Sequence, residues 1–284
     1  MKRLALIFAF CLTILSAFIP YAYSEIQLNI IKTYISGFSY PRALCLDAND
    51  NILTSAGSGN IIKLSPDLQY ISSFSGYYPW GIATSSSGNI YITDSQWHGY
   101  NPPQGNHRLV KLNSDYSYNS SFGNTAGSDN SHLYNPGKVA VDASGDIYVA
   151  DQTNNRIVKL NSSLQYQSQY TMSDCYAIAV QGNYLYAAKY GGFIVKLNLS
   201  LTETGVSTTT WGRIQAISVD NVGNVYVATN SYIIKLDGND LKVIRVFTGN
   251  DWFRNVMDID VDSQGYIYIL NYYEGVAAPR QDSS

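Results

Sequence analysis

The stretch "GDIYVADQTNNRIVKL" at residues 145–160 has the pattern of a hairpin of two short strands. Its first strand ends at Asp151, a polar turn follows, and the second strand ends at Leu160. Gly145 stands just before the first strand, and glycine readily adopts the positive φ that a tight turn needs. Nearly the same phrase returns several times along the chain, so this stretch indicates an internal repeat.

The repeat is clearest in the apolar phrase that precedes each turn. There are six copies, namely "ALCLD" (43–47), "GIATS" (81–85), "KVAVD" (138–142), "AIAVQ" (177–181), "AISVD" (216–220) and "DIDVD" (258–262). Each is followed by a second strand, and most by a third that ends in "KL" and by a fourth. Four short strands in a repeat of about 40 residues are typical of a propeller blade.

The pattern in residues 136–160, with its proline, "GDIYVAD" and "NNRI", resembles the NHL-repeat family. The likeness continues in weaker form over almost all of the chain after residue 24. This resemblance implies an all-β fold, a six-bladed β-propeller of four-stranded antiparallel blades.

The sixth unit lacks the third-strand phrase, and this bears on how the ring closes. Residues 30–41, "IIKTYISGFSYP", closely match "LQYISSFSGYYP" at 68–79, where a fourth strand leads into a first. We therefore expect an N-terminal outer strand to close the propeller, with residues 275–280 as the third strand of that blade. The alternative is that the chain is the propeller module of a longer surface protein.

The first residues predict export. Lys2 and Arg3 precede an apolar run from Leu4 to Ile19, and small residues follow at Ala22 and Ser24. We expect residues 1–24 to be a signal peptide and residues 25–284 to form one propeller domain, secreted or held at the cell envelope. The second blade should carry insertions at about 95–107 and 123–135.

Composition narrows the range of partners. The formal net charge is -3 and only 14% of residues are charged, so a basic stripe for nucleic acid is not expected. No stable membrane span is expected after signal cleavage. We expect a protein or glycan partner at the cell surface.

Aromatic residues collect in the loops that join one blade to the next and in those that join second and third strands. These loops share one face of a propeller, here called the top face. Aromatic enrichment on one face suits a binding surface, because rings provide contact area at low entropy cost. The first hypothesis is a non-catalytic binding or scaffold module. Its candidate ligand-binding residues are Arg42, Trp80, Trp97, Tyr176, Trp211 and Trp252.

The alternative is an extracellular lyase or hydrolase with its site at the mouth of the central channel. This reading rests on a general likeness to peptidyl-hydroxyglycine lyases, streptogramin lyases and lactonases. Asp258 would be its inward carboxylate, and His98, His107 and His132 are secondary metal candidates. The main prediction is no catalytic residue, no metal and no cofactor, with zinc or calcium as the alternative.

The second and third repeats share a pattern of one aspartate and one arginine. Asp94 and Asp151 end second strands, and Arg108 and Arg156 begin the third strands of the same blades. We expect each pair to bridge its hairpin and to serve the fold rather than catalysis.

Overall fold

A computed structural model describes residues 25–27, 29–34, 41–56, 59–95, 106–248, 255–272 and 275–280. The expected signal peptide and most of the first insertion lie outside these residues. Within them, no helix combines the length and the apolar character needed to cross a membrane.

The described residues form antiparallel sheets arranged as blades. Two N-terminal strands come first, β1 (Glu25–Gln27) and β2 (Asn29–Tyr34). Blade one contains β3 (Leu44–Leu46), β4 (Ile52–Ser55), β5 (Asn60–Leu64) and β6 (Tyr70–Ser75). Blade two contains β7 (Pro79–Thr84), β8 (Ile90–Asp94), β9 (Arg108–Leu112) and β10 (Tyr118–Phe122). Blade three contains β11 (Pro136–Val141), β12 (Ile147–Asp151), β13 (Arg156–Leu160) and β14 (Tyr166–Thr171).

The second half of the chain repeats this order. Blade four contains β15 (Cys175–Gln181), β16 (Tyr184–Lys189), β17 (Ile194–Asn198) and β18 (Glu203–Val206). Blade five contains β19 (Ile214–Val219), β20 (Val225–Thr229), β21 (Tyr232–Leu236) and β22 (Val243–Thr248). The last strands are β23 (Val256–Val261), β24 (Ile267–Asn271) and β25 (Gly275–Arg280).

One sheet, here called the composite sheet, joins the two ends of the chain. Its strand order is β2-β25-β24-β23, and β2 pairs antiparallel with β25 from Asn29 opposite Arg280 to Tyr34 opposite Val276. β1 goes elsewhere, because it pairs in parallel with β22 and makes blade five a five-stranded sheet.

The prediction of six four-stranded antiparallel blades is therefore wrong. In the part of the chain that the structure describes there are five blades, not six, each with four consecutive antiparallel strands, and the remaining sheet is assembled from both ends of the chain. Blade five also departs from four antiparallel strands, since Glu25–Gln27 adds a parallel edge strand to it. The physical reason is that a three-residue strand carries no recognisable repeat phrase, so the sequence pattern could not assign it to a blade.

The first strands of the blades line a central channel. β3, β7, β11, β15, β19 and β23 contact one another in that order, and β23 contacts β3. Apolar side chains of neighbouring sheets pack between them, as where Tyr91 and Leu109 of blade two meet Ile147 and Val158 of blade three. No sheet buries its two apolar faces alone, so the core lies between blades.

A recurring tyrosine ties neighbouring blades together. The single proton of the Tyr148 hydroxyl is shared between Asp142 in its own blade's turn at 3.1 Å and the Leu199 carbonyl of blade four at 3.2 Å. Tyr268 of the composite sheet makes the same two kinds of bond, to Asp262 and to the Pro66 carbonyl of blade one. The tyrosines at these two equivalent positions therefore help to fix the spacing of adjacent blades.

Candidate functional site

A shallow recess lies where the channel opens on the top face. It is here called the mouth, and it is formed by Arg42, Trp80, Gln152, Tyr176 and Met257 around Lys138. Arg42, Trp80 and Tyr176 lie beside or within first strands of three different blades. The shared register of those strands is what brings the three side chains to one rim.

Arg42 and Trp80 form a stacked pair on this rim. The guanidinium carbon of Arg42 lies 4.0 Å from the centre of the Trp80 ring. The indole is held in place because its N–H donates to the Ser95 carbonyl at 2.9 Å. A cation over the face of an indole is attracted by the ring quadrupole, so the indole orients the guanidinium.

Gln152 lies over Gly137 and also lines the mouth. A Cβ added at Gly137 would stand 2.5 Å from Gln152 Nε2, so any larger residue there would displace this side chain. Among the described residues the Gln152 carboxamide has no hydrogen-bond partner. It is therefore a polar group available to a ligand.

An ion pair across the channel forms the floor of the mouth. Lys138 Nζ of blade three donates to Asp258 Oδ2 of the composite sheet at 2.6 Å and to the Arg42 carbonyl at 2.9 Å. Asp258 also accepts the backbone N–H of Leu44 at 2.9 Å. Burial raises the pKa of Asp258, and the neighbouring Lys138 opposes that rise. Both charges of the floor are thus engaged within the protein.

A narrow cavity of about 160 Å³ continues below this floor along the channel. Its walls are mainly alanines and aliphatic side chains, with Asp260, Ser218 and Cys45 among the polar groups. Burial raises the pKa of Asp260 to about 6, although the Ser218 hydroxyl and the N–H groups of Leu46 and Val261 donate to it. Burial, together with Asp260 and Asp258, raises the pKa of the Cys45 thiol well above its usual range, so this thiol is protonated at neutral pH.

A second aromatic and cationic cluster lies beside the mouth on blades four and five. The Arg213 guanidinium lies 4.8 Å from the Tyr190 ring and 5.7 Å from the Tyr176 ring. The two tyrosine rings meet edge to face with centroids 5.9 Å apart. Tyr190 is 47% exposed and Phe193 nearby in the chain is 40% exposed, so this surface presents aromatic area to solvent.

The six residues predicted for ligand binding fall in three groups. Arg42, Trp80 and Tyr176 meet at the mouth. Trp211 is half-buried and packs on the apolar core between blades four and five, so its ring serves packing at least in part. Trp97 and Trp252 lie outside the described residues.

The candidate histidines have separate environments. His107 is buried, and its Nδ1 accepts the N–H of Asn135 at 3.1 Å, which places the ring proton on Nε2. That nitrogen has no hydrogen-bond partner in the described part of the chain, and as an N–H donor it cannot ligate a metal. His132 Nδ1 lies 2.7 Å from Asp129 Oδ1 in the connection between β10 and β11. His98 lies outside the described residues, and within them no three His, Cys, Asp or Glu side chains form a metal-binding group.

The predicted Asp and Arg bridges are present in both hairpins. Arg156 Nε donates to Asp151 at 2.7 Å, and Arg108 pairs with Asp94 at 2.9 Å. Each carboxylate also accepts a backbone N–H from the preceding loop, from Tyr134 and from Tyr78. These contacts position the loops of the top face and leave neither pair open to a ligand.

The geometry of blade three agrees with a comparison of sequences. Residues 133–160 match the NHL repeat family. The fold is a β-propeller, one blade of which is similar to an NHL repeat. The matched segment contains Gly137, Lys138 and Gln152 of the mouth and the bridge between Asp151 and Arg156. The resemblance expected from the sequence is thus confirmed.

Known structures support the fold. A solved streptogramin B lyase matches with a TM-score of 0.62 at 13% identity, over 84% of this chain and 78% of that one. No curated protein matches the chain by sequence. At this identity the likeness establishes the architecture alone, so the function rests on the top face itself.

Sequence reasoning did not identify Gln152, Tyr190 or Arg213. All three lie outside the first strands, on loops whose side-chain directions the repeat does not determine. A usable signal for Gln152 was Gly137, since a glycine within a strand indicates close approach of another group.

Proposed function

We propose that this protein is a non-catalytic recognition module that binds a protein partner through its top face. The export predicted from residues 1–24 would place that partner at the cell surface. The observation that carries the proposal is the pairing of aromatic rings with arginines on both sides of the mouth.

The composition of this surface favours a protein. Tyr, Trp, Met and Arg are enriched at the centres of protein interfaces, and Tyr, Trp and Arg dominate the residues that contribute most of the binding energy. The mouth and the adjacent cluster present Arg42, Trp80, Tyr176, Tyr190 and Met257 together. Arg42, Trp80 and the two tyrosines are held by ring contacts and by the bond from the Trp80 N–H to the Ser95 carbonyl, so these four side chains lose little freedom on binding.

The lyase or hydrolase alternative has less support from the contacts. Asp258, its candidate acid, is bound by Lys138 and by the backbone N–H of Leu44. Asp260 lies below that ion pair and is bonded to Ser218 and two N–H groups. A reacting group at the mouth would have to displace the floor before it reached either carboxylate.

Cross-linking on cell-envelope and secreted fractions would test the proposal. The full chain should capture a defined protein, identified by mass spectrometry and then purified for direct binding. Trp80→Ala and Tyr190→Ala should each weaken that binding about tenfold or more, as expected for central interface residues. Tyr118→Ala removes a ring that is 58% exposed on the outer strand β10, and it should bind like the parent.

Equal binding by all four proteins would overturn the proposal. Trp80→Phe and circular dichroism spectra separate loss of contact from loss of fold. A different outcome is that no protein partner is found, while a glycan on an array binds the chain and loses binding on the same two substitutions. That result would show that the ligand of the top face is a carbohydrate and not a protein.

A further inference from the structure

We propose that the mouth is a carboxylate-binding site, in which Arg42 receives an acidic side chain of the partner. This inference rests on the proposed function, because it names the group that the top face would recognise. The juxtaposition that carries it is a stacked, unpaired guanidinium in the same recess as an unpaired carboxamide, above a floor whose charges cancel.

Arg42 differs from the arginines of the neighbouring blades. Arg108 and Arg156 each pair with an aspartate of their own hairpin. The Arg42 side chain makes no ion pair and donates no hydrogen bond among the described residues, although its ring contact with Trp80 fixes it in place. A planar guanidinium offers a fork of N–H donors that matches the two oxygens of a carboxylate. Arg42 is therefore oriented and still available to an anion.

The floor beneath Arg42 leaves this charge uncancelled. Lys138 is bound to Asp258, to the Arg42 carbonyl at 2.9 Å and, more weakly, to the Met257 carbonyl at 3.4 Å. Lysine has three donors, and these contacts engage all of them. The ion pair is neutral as a unit, so the positive charge that a ligand meets at the mouth is that of Arg42.

Arg213 strengthens the same field. Its guanidinium lies on the rings of Tyr176 and Tyr190, and Tyr176 is itself part of the mouth. No ion pair with a carboxylate forms there among the described residues. Two cations on adjoining parts of one surface favour an acidic partner, and they speed its approach at low salt.

The size of the recess indicates which part of a partner reaches it. The space enclosed at the mouth is about 10 Å³, barely enough for one water. A carboxylate would therefore rest at the entrance against Arg42, and a sugar ring or a whole residue would stay outside the recess. An acidic side chain carries its carboxylate on a slim apolar stem, which the Met257 thioether and the Trp80 ring can contact. A chain terminus brings an amide and its own side chain close to the carboxylate, so we assign the site to a side chain.

Titration followed by nuclear magnetic resonance tests this with small probes. Propionate represents the acidic side chain, propionamide is its neutral counterpart of similar shape, and N-acetylglycine represents a chain terminus. The Trp80 indole N–H, identified from the Trp80→Phe variant, should shift saturably with propionate at concentrations on the order of millimolar. Propionamide should leave it unchanged up to ten times that concentration.

Two matched variants locate the site. Arg42→Gln should weaken propionate binding at least about tenfold, because a charge-assisted bond is lost. Arg245→Gln removes an arginine near another ring, Phe247 at 6.0 Å on β22, and it should bind propionate like the parent. Each substitution removes one positive charge. A difference in propionate affinity between the two variants therefore reflects the loss of Arg42 from the mouth and not the change in net charge.

Several outcomes would overturn the inference. They are an equal response to propionate and propionamide, unchanged binding by Arg42→Gln, and tighter binding of N-acetylglycine than of propionate, which would assign the site to a terminus. The proposed function fails separately. If Tyr190→Ala loses partner binding but the parent protein does not respond to propionate, only the carboxylate site is refuted. If the parent responds to propionate but no protein partner is found, only the proposed function is refuted.

Discussion

Blade three and the composite sheet both line the channel, yet they are held together by different means. Blade three is one continuous segment, and its hairpin between β12 and β13 is locked by Asp151 and Arg156. The composite sheet comes from both ends of the chain, and its inner strand β23 sends Asp258 and Asp260 to the N–H groups of Leu44 and Leu46 on β3. The corresponding residues of β11 are Lys138 and Ala140.

The difference shows where each unit needs support. A continuous blade brings its own strands together, so its buried ion pair fixes loops and not strand order. The composite sheet has to hold blade one across a junction that the chain does not cross at that point. There the carboxylates satisfy inner-edge N–H groups that would otherwise depend on water.

The largest effect should follow removal of the N-terminal strands. Deleting residues 25–34 leaves β25 and β22 without their outer partners. Each lost backbone hydrogen bond contributes about 1 kcal/mol, so the free energy of unfolding should fall by about 5 kcal/mol or more. The melting temperature of the protein that lacks residues 25–34 should then be lower by roughly 10 °C or more. A melting temperature equal to that of the parent would show that the junction does not depend on these strands.

A smaller effect should follow loss of the clamp in blade three. Arg156→Leu leaves the fully buried Asp151 carboxylate without its cation, which typically costs about 3 to 5 kcal/mol. Arg108→Leu is the matched change in blade two, where an asparagine likewise donates to the aspartate but the arginine side chain is 26% exposed, against 6% for Arg156. Its cost should be about 1 to 2 kcal/mol, because solvent screens this guanidinium and can reach the site once it is removed. Unfolding of both variants in denaturant measures the difference between the two losses of stability. Equal losses of unfolding free energy would contradict the role of burial.

A further effect, smaller than those of the deletion and of Arg156→Leu, concerns the pH dependence of stability at the junction. An aspartate of an unfolded chain titrates near pH 4, whereas the pKa of Asp260 in the folded protein is about 6. Between these values the folded protein holds the proton more tightly, so its contribution to stability is full below about pH 4 and is lost as pH rises through about 6. The loss should be about 2 to 3 kcal/mol.

Unfolding in denaturant at a series of pH values measures this dependence. Asp258, whose pKa burial also raises, adds a change of the same sign. Asp260→Asn should therefore flatten the profile between about pH 4 and 6 without abolishing it. An unchanged slope would mean that Asp260 is solvated in the folded protein.

The sequence was informative wherever the repeat register controls position. It predicted residues 275–280 as a strand in spite of Pro279, and the structure shows why this proline is tolerated. The pairing of β25 with β24 runs only from Gly275 to Ala277, so Pro279 lies beyond it and removes no bond to β24. The register likewise brought Arg42, Trp80 and Tyr176 to one rim.

What the sequence missed depends on distances between blades. Asp258 was recognisable as an inward residue, but its contact with Lys138 across the channel depends on how many sheets surround the channel and on how closely they approach. Tyr190 and Arg213 come from different blades and meet only after loops fold over the top face. The three-residue β1 has too little pattern to reveal a parallel partner in blade five.

The pairing of β2 with β25 also determines how the ring would respond to tension. Asn29 lies opposite Arg280, so the N-terminal end of β2 and the C-terminal end of β25 lie side by side at the same end of the strand pair. A force that pulls these two ends apart loads their hydrogen bonds one after another and not all at once. The composite sheet would therefore open bond by bond from this end at low force, while blades one to four, whose strands follow one another in the chain, stay intact until β2 has separated.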